Sequence, residues 1–301
     1  MHVLITGITG FIGRRLARRL SEAGHRVTGL AMDQPEIAGV DEVLLLNVLD
    51  LEGLREAIDR LQPDAVVHLA GLSHVGESWK RPGDYLRVNF IGARNVAMAA
   101  EGRRILFASS AEVYGKVPED EQPIVEDRPL DPRSPYAMTK ACAEQVMLVR
   151  GAIIVRSFNA IGAGQGSQFA LPSFAAQLAA IGRGEVSPVI RVGDLSPRRD
   201  FVHVGDTVAG FELLTQHEDA VGVYNLASGR ATSIAEALDG LRQVSGVQAA
   251  VERDEARVRP VDLPVLCGSA ARIEALGWER KFSLEDALAE LWEETQQTAG
   301  G

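Results

Sequence analysis

A doubly wound parallel α/β sheet followed by a smaller α/β lobe is the fold this sequence predicts. Three observations carry the prediction. Strand-like and helix-like segments alternate from Val3 to Arg156. Gly7, Gly10 and Gly13 stand between the first strand and the first helix. The alternation loosens after Arg156 and resumes near Val204. Alternating strands and helices imply parallel pairing through right-handed crossovers.

Val3–Thr6 is apolar or β-branched and reads as a short buried strand. Arg14–Ala23 reads as a helix that stops at Gly24. Strands follow at Arg26–Met32 and Glu42–Leu46, a helix at Leu51–Arg60, and a strand at Asp64–Leu69. Asp84–Ala100 reads as one long helix, Arg104–Ala108 as a strand, Tyr136–Arg150 as a second long helix and Ala152–Arg156 as a strand. Pro118–Pro135, rich in prolines and charges, reads as a surface loop where the rim of an active site would lie. Val204–Gln216 and Gly222–Ala227 are a helix and a strand that can rejoin the large sheet. The tail has helical stretches near Ser233–Val244 and Ser283–Thr295. The expected division is therefore discontinuous: residues 1–157 and 199–228 bind a dinucleotide, and residues 158–198 and 229–301 form the substrate lobe.

The chain of 301 residues is long enough to bury a full core without disulfides or metals. Its net charge of −10 argues against a nucleic-acid surface. Two cysteines, Cys142 and Cys267, fit a reducing compartment and have no zinc-site spacing. No metal is expected. No apolar run reaches the roughly 18 residues of a membrane span, and no signal peptide is visible, so the expected location is the cytoplasm.

The stretch Gly7–Gly13 is suited to an anion. Glycines let the backbone approach a ligand closely, and the following helix points free N–H groups and its positive dipole end at it. A dinucleotide pyrophosphate is the natural guest, held by Gly7, Gly10, Phe11, Ile12 and Gly13. Asp33, 20 residues after Gly13, has the spacing of an acid that accepts from a ribose 2′-hydroxyl. Arg14 and Arg15 could instead favour a 2′-phosphate.

Tyr136 and Lys140 lie at i and i+4 on one helix face. A free phenol titrates near pH ~10, and a neighbouring ammonium lowers that value. Ser110 follows a strand at a sheet carboxyl end, where its hydroxyl can bond a carbonyl. A surface Tyr–Lys pair and a strand-capping serine are the plainer readings of the same residues.

Glycine loop, SAEVYG from Ser110 to Gly115 and YAMTK from Tyr136 to Lys140 together resemble the extended short-chain dehydrogenase/reductase superfamily, over nearly the whole chain. The resemblance implies a Rossmann-like fold, an NAD(P)H cofactor and a homodimer through the two long helices. It implies Tyr136 as general acid or base, Lys140 on the nicotinamide ribose and tuning Tyr136, and Ser110 on the reacting carbonyl. It implies Leu69, Ala70 and Gly71 along the cofactor, Asn47 and Val48 near its adenine, and Asn89 as a support. Asn47 stands where the family usually has Asp.

Segments of the second lobe, SFNAIGAGQ, VIRVGDLSPRRDFVHVGD and RPVDLPVL, are similar to those of GDP-4-dehydro-6-deoxy-D-mannose reductases and GDP-mannose 4,6-dehydratases. By that resemblance Asn159 lies by the sugar diphosphate, Arg199 and Arg259 face phosphates, and Asp262 takes the ribose hydroxyls of GDP. His74 falls in a loop along the cofactor and is counted among the substrate contacts. His68, His74 and His203 lack metal spacing and read as packing or loop residues. The reaction implied is reduction of the C4 ketone of a GDP-linked 4-keto-6-deoxy sugar. Glu112 stands where the dehydratases place a glutamate, which keeps the 4,6-dehydratase open, while Ala111 speaks against it. A nucleotide-sugar 4-epimerase and a catalytically silent nucleotide binder complete the alternatives.

Overall fold

The computed structural model describes residues 1–33, 37–258 and 263–298. In chain order the main elements are β1 (His2–Thr6), α1 (Phe11–Glu22), β2 (Arg26–Ala31), β3 (Glu42–Leu45), α2 (Leu51–Leu61) and β4 (Ala65–His68). Next come α3 (Val75–Lys80), α4 (Pro82–Tyr85), α5 (Gly92–Ala99), β5 (Arg104–Ser110), α6 (Pro135–Val149), β6 (Ile153–Ser157) and β7 (Asn159–Ile161). The remainder is α7 (Ala170–Gly182), β8 (Val189–Val192), β9 (Arg198–His203), α8 (Val204–Gln216), β10 (Val223–Leu226), β11 (Ala231–Ser233), α9 (Ile234–Ser245), β12 (Ala250–Arg253), β13 (Val265–Leu266), α10 (Ala271–Glu274) and α11 (Leu284–Thr298).

Seven strands form one parallel sheet in the order β10-β6-β5-β4-β1-β2-β3. Alternation along β1 fixes its two faces. Val3 and Ile5 pack with Leu16 and Leu20 of α1 and Phe211 and Leu214 of α8. Leu4 packs on the opposite side with Leu54 and Ile58 of α2, Val96 of α5 and Met147 of α6. Helices thus cover both faces, as the near-continuous apolar strands require. The order reverses beside β1, so a crevice opens between the carboxyl ends of β1 and β4.

A third core joins Leu171, Phe174 and Leu178 of α7 to Leu238 and Leu241 of α9 and Leu288 and Leu291 of α11. Beside it lie two small sheets, one holding β11, β9, β13 and β7, the other β12 and β8. β10 returns to the edge of the large sheet beside β6. Residues 199–203, expected to open that return, instead belong to β9 and pair in the small sheet, so the chain turns back only with α8.

Two elements differ from the sequence expectation. The long helix over 84–100 is interrupted by a π-helical turn at Leu86–Ile91. That wider turn carries Asn89, whose amide clasps Leu72: Oδ1 accepts from Leu72 N at 2.8 Å and Nδ2 donates to Leu72 O at 3.0 Å. The 118–135 segment is no rim, since none of its residues lines either cavity described below. It is anchored instead by Ile124 and Glu126, both buried, with Ile124 bridged to Gly268.

Candidate functional site

The glycine loop is wound tightly. Gly7 has φ +71°, and a Cβ there would stand 2.6 Å from Ala70 N. A Cβ at Gly13 would stand 2.4 Å from the Gly7 carbonyl oxygen. Helix α1 begins without a side-chain cap and without an acidic residue in its first turn. Its first N–H groups therefore face the crevice unopposed, which suits a pyrophosphate.

A cavity of about 310 Å³ opens there. Its walls include Gly7, Gly10, Phe11, Ile12 and Gly13 on one side, Leu69 and Gly71 above β4, and Ser110, Glu112, Tyr136 and Lys140 at the inner end. The β4 loop is held by Leu69 N on the Thr6 carbonyl at 3.1 Å and Ala70 N on the Thr6 hydroxyl at 3.2 Å. The uncapped helix start, the close-packed glycines and the shape of the crevice fit a dinucleotide.

Three side chains converge at the inner end. Ser110 closes β5, and its Oγ accepts from Glu112 N at 3.2 Å. Tyr136 starts α6, whose cap is the Ser134 hydroxyl accepting from Ala137 N at 3.1 Å. Its ring meets Tyr85 edge-on, with centroids 6.3 Å apart. Lys140, one turn on, donates from Nζ to the Ala108 carbonyl at 2.8 Å and lies 4.8 Å from the centre of the Phe107 ring. Tyr136 and Lys140 are only 7% and 5% exposed.

Burial governs their acidity. Tyr136 is pushed up to about 12, against the pull of a hydrogen bond from Ser110 and helped by the charge of Glu112. Lys140 is pushed down to about 8 by burial, against the charge of Glu144. The net direction at Tyr136 is therefore opposite to the lowering expected from Lys140 alone, because loss of water around the phenol is its largest influence. His68, stacked on Phe107, is driven down to about 3 by burial and then by the Lys140 charge.

A second cavity of about 390 Å³ adjoins the first, sharing Asn159, Ala160, Gln165 and Phe169 with it. His74, Arg199 and Arg257 also line it. His74 caps α3: Nδ1 accepts from Glu77 N at 3.0 Å, and Nε2 meets the Gln168 carbonyl at 3.0 Å. Arg199 is buried, and donates to the carbonyls of Arg198 and Leu263 at 2.9 and 2.7 Å.

Several expected contacts are not gathered at the cavities. Asp33 is exposed and lines neither. Asn47 spends its Oδ1 on Leu49 N, at 2.9 Å, and Val48 is packed in the core. Arg14 is exposed and donates from Nε to the Thr9 carbonyl, and Arg15 reaches the Ala163 carbonyl while lying over the Phe11 ring. Arg259 and Asp262 lie outside the described residues. Sequence reasoning missed Ser157, Gln168 and Arg257 as wall residues. Ser157 directly precedes Phe158 and Asn159 at the end of β6, and strand position alone could have found it.

A glycine-bound crevice that ends in a half-buried serine beside a buried tyrosine and lysine defines a dinucleotide-dependent enzyme acting at a carbonyl or carbinol carbon. The sequence profile of the NAD dependent epimerase/dehydratase family matches residues 3–227, and the chain belongs to that family. It is 32% identical over 298 residues to GDP-6-deoxy-D-mannose reductase of Pseudomonas aeruginosa, covering 95% of this chain and 94% of that protein. The solved structure of RMD from Pseudomonas aeruginosa complexed with NADPH superposes with a TM-score of 0.86 at 30% identity, covering 99% of each chain. UDP-glucose 4-epimerase of Thermus thermophilus, solved in complex with NAD, superposes with a TM-score of 0.87 at 27% identity, covering 98% of this chain and 99% of that one. The protein is an NAD(P)-dependent nucleotide-sugar enzyme of the oxidoreductase and epimerase type. No described helix is long and apolar enough to cross a membrane.

Proposed function

We propose that this enzyme reduces the C4 ketone of a GDP-linked 4-keto-6-deoxy-hexose, giving GDP-rhamnose or its C4 epimer. The observation that carries the reading is the similarity, over nearly the full length of both chains, to GDP-6-deoxy-D-mannose reductase of Pseudomonas aeruginosa. The site agrees with it: Ser110, Tyr136 and Lys140 share one cavity with the glycine loop, where a ketone oxygen can take a hydrogen bond and a proton. Ala111, on the same wall, has no group to share the proton transfers that an elimination needs.

NAD(P)H would supply the hydride. The Gly7–Gly13 loop would hold its pyrophosphate, Leu69, Ala70 and Gly71 would lie alongside it, and Lys140 would hold the nicotinamide ribose. Ser110 donates its hydroxyl to the C4 oxygen, and Tyr136 protonates that oxygen as negative charge develops on it. Glu112 stands beside them at the wall. Asn159, His74 and Arg199 line the cavity for the sugar diphosphate, and Arg259 and Asp262 read the nucleotide. The expected form is a cytoplasmic homodimer pairing through the exposed face of α6 and the stretch before α5, where Leu86 and Met138 stand in the open.

Epimerase relatives make the 4-epimerase the second reading. One experiment separates the alternatives. The protein is given GDP-4-keto-6-deoxymannose with NADH or NADPH, GDP-mannose with catalytic NADP, and UDP-glucose with NAD. Stoichiometric loss of reduced dinucleotide in the first tube alone is expected. Keto-sugar from GDP-mannose makes it a dehydratase and raises Glu112 to a main role. UDP-galactose in the third tube makes it an epimerase. No turnover in any tube makes it a binder.

A further inference from the structure

Behind the reacting corner lies a dry cluster of charges that the proposed chemistry does not use. Glu144, on α6 one turn beyond Lys140, is fully buried. The Ser109 hydroxyl of β5 donates to its Oε1. Arg156 of β6 grips the same carboxylate, with Nη2 on Oε2 at 2.7 Å and Nε on Oε1 at 3.1 Å. Arg156 also donates to the Tyr114 hydroxyl at 3.0 Å and the Glu126 carbonyl at 2.9 Å.

The three elements joined here are the ones that carry the site. Ser109 precedes Ser110, Arg156 precedes Ser157, and Glu144 shares its helix with Tyr136 and Lys140. We propose that Glu144 is a positioning residue: its clasp on Ser109 and Arg156 fixes the helix bearing Tyr136 and Lys140 against the strand end bearing Ser110. The same carboxylate acts on Lys140, opposing the lowering that burial imposes on its ammonium. Around Lys140 are His68 of β4, the Phe107 ring and Ala108 carbonyl of β5, Asn89 of the wide turn and, one helical turn on, Glu144. Among the described residues Glu144 is the carboxylate that acts on it. The carboxylate of Glu112 acts on Tyr136 instead. A buried ion pair adds little net stability over an apolar pair, so its use here is sought in geometry and charge.

The proposal rests on the reductase reading for its turnover measurement only. The chain has four lysines, so protein labelled with ¹³C-lysine gives a simple spectrum in which Lys140→Met identifies the Lys140 signal. In the parent this lysine, lowered by burial, is expected to titrate at about 8. Glu144→Gln is expected to lower that midpoint by about half a pH unit or more, as loss of a near anion does. It should carry the alkaline limb of kcat the same way and reduce kcat about tenfold through misplacement. If that variant does not fold, E144Q/R156M removes both charges and leaves no lone ion buried. Glu144→Asp keeps the charge on a shorter stem. It should restore the Lys140 midpoint while kcat stays low. Ser109→Ala, which deletes one hydroxyl, should lower kcat about threefold and leave the midpoint in place. A lowered melting temperature with parent-like kcat and Lys140 midpoint in the folded variants shows a merely structural role and overturns the proposal. A parent that titrates as expected but reduces no GDP-sugar refutes the reductase reading and leaves the lysine result standing.

Discussion

Tyr136→Phe tests the reacting corner most directly. The substitution removes one oxygen and leaves the ring in its edge-on contact with Tyr85. The loss of one hydroxyl that shares a hydrogen bond with Ser110 costs about 1 kcal/mol of stability, so the variant folds. Catalysis loses its proton donor. A positioned general acid contributes 10²- to 10⁴-fold, which is about 2.7–5.5 kcal/mol of barrier. Initial rates of reduced-dinucleotide loss at saturating keto-sugar should therefore fall at least about a hundredfold, with dinucleotide affinity, read by fluorescence, little changed. The pH profile adds a second check. A phenol near 12 stays protonated through the working range, so it sets no limb of its own there. Lys140, near 8, does: activity declines as pH rises past about 8 and the ammonium is lost. The residual activity of Y136F should keep that limb. Turnover within about tenfold of the parent would refute the role given to Tyr136.

Four further outcomes are expected. Lys140 is held near 8 in the fold against 10.5 when free, so between those values the unfolded chain carries the extra proton and stability rises with pH. Lys140→Met should remove that rise and be the more stable protein at pH 7, by at most about 3 kcal/mol less the lost bond to Ala108; urea titrations at pH 7 and pH 10 measure both. Asn89→Ala leaves the N–H and C=O of Leu72 without their partners and should cost about 2–3 kcal/mol in urea unfolding. Arg259→Ala and Asp262→Ala should each weaken GDP binding by about 1.5–3 kcal/mol in calorimetry and leave dinucleotide binding intact; parent-like affinity in both means the substrate lobe has been misread. NADH and NADPH should both serve, because Asp33 lines neither cavity and Arg15 is drawn away to the Ala163 carbonyl, which leaves only the exposed Arg14 to discriminate; a preference in kcat/KM above about a thousandfold, roughly 4 kcal/mol, contradicts this.

The large sheet was legible because its cause is local. Apolar runs such as Val3–Ile5 and Ala65–Val67, each followed by a helical period, leave a parallel sheet as the one way to bury both faces. Tyr136 and Lys140 were legible for the same reason, being neighbours on one helix. What escaped depends on distant partners. The π turn exists to aim Asn89 at Leu72, 17 residues away, and nothing in the run LRVNFI signals it. Ile124 and Glu126 look like loop residues until Gly268 and Asn225 arrive beside them. The clasp of Ser109, Glu144 and Arg156 joins three segments whose sequences each read as ordinary strand or helix. Asn47 matched a family position, but a short amide that can close its own turn onto Leu49 does so.

Arg15 has a consequence beyond the first helix. It leaves the glycine-loop helix to hold the Ala163 carbonyl, and the next N–H, that of Gly164, is taken by Glu294 near the end of α11. Asn159, Ala160 and Gln165 of this strip line both cavities, and the residues between them are pinned from α1 and from α11. The two cavities thus have masonry in common, so a substitution at any of these three residues alters the walls of both at once.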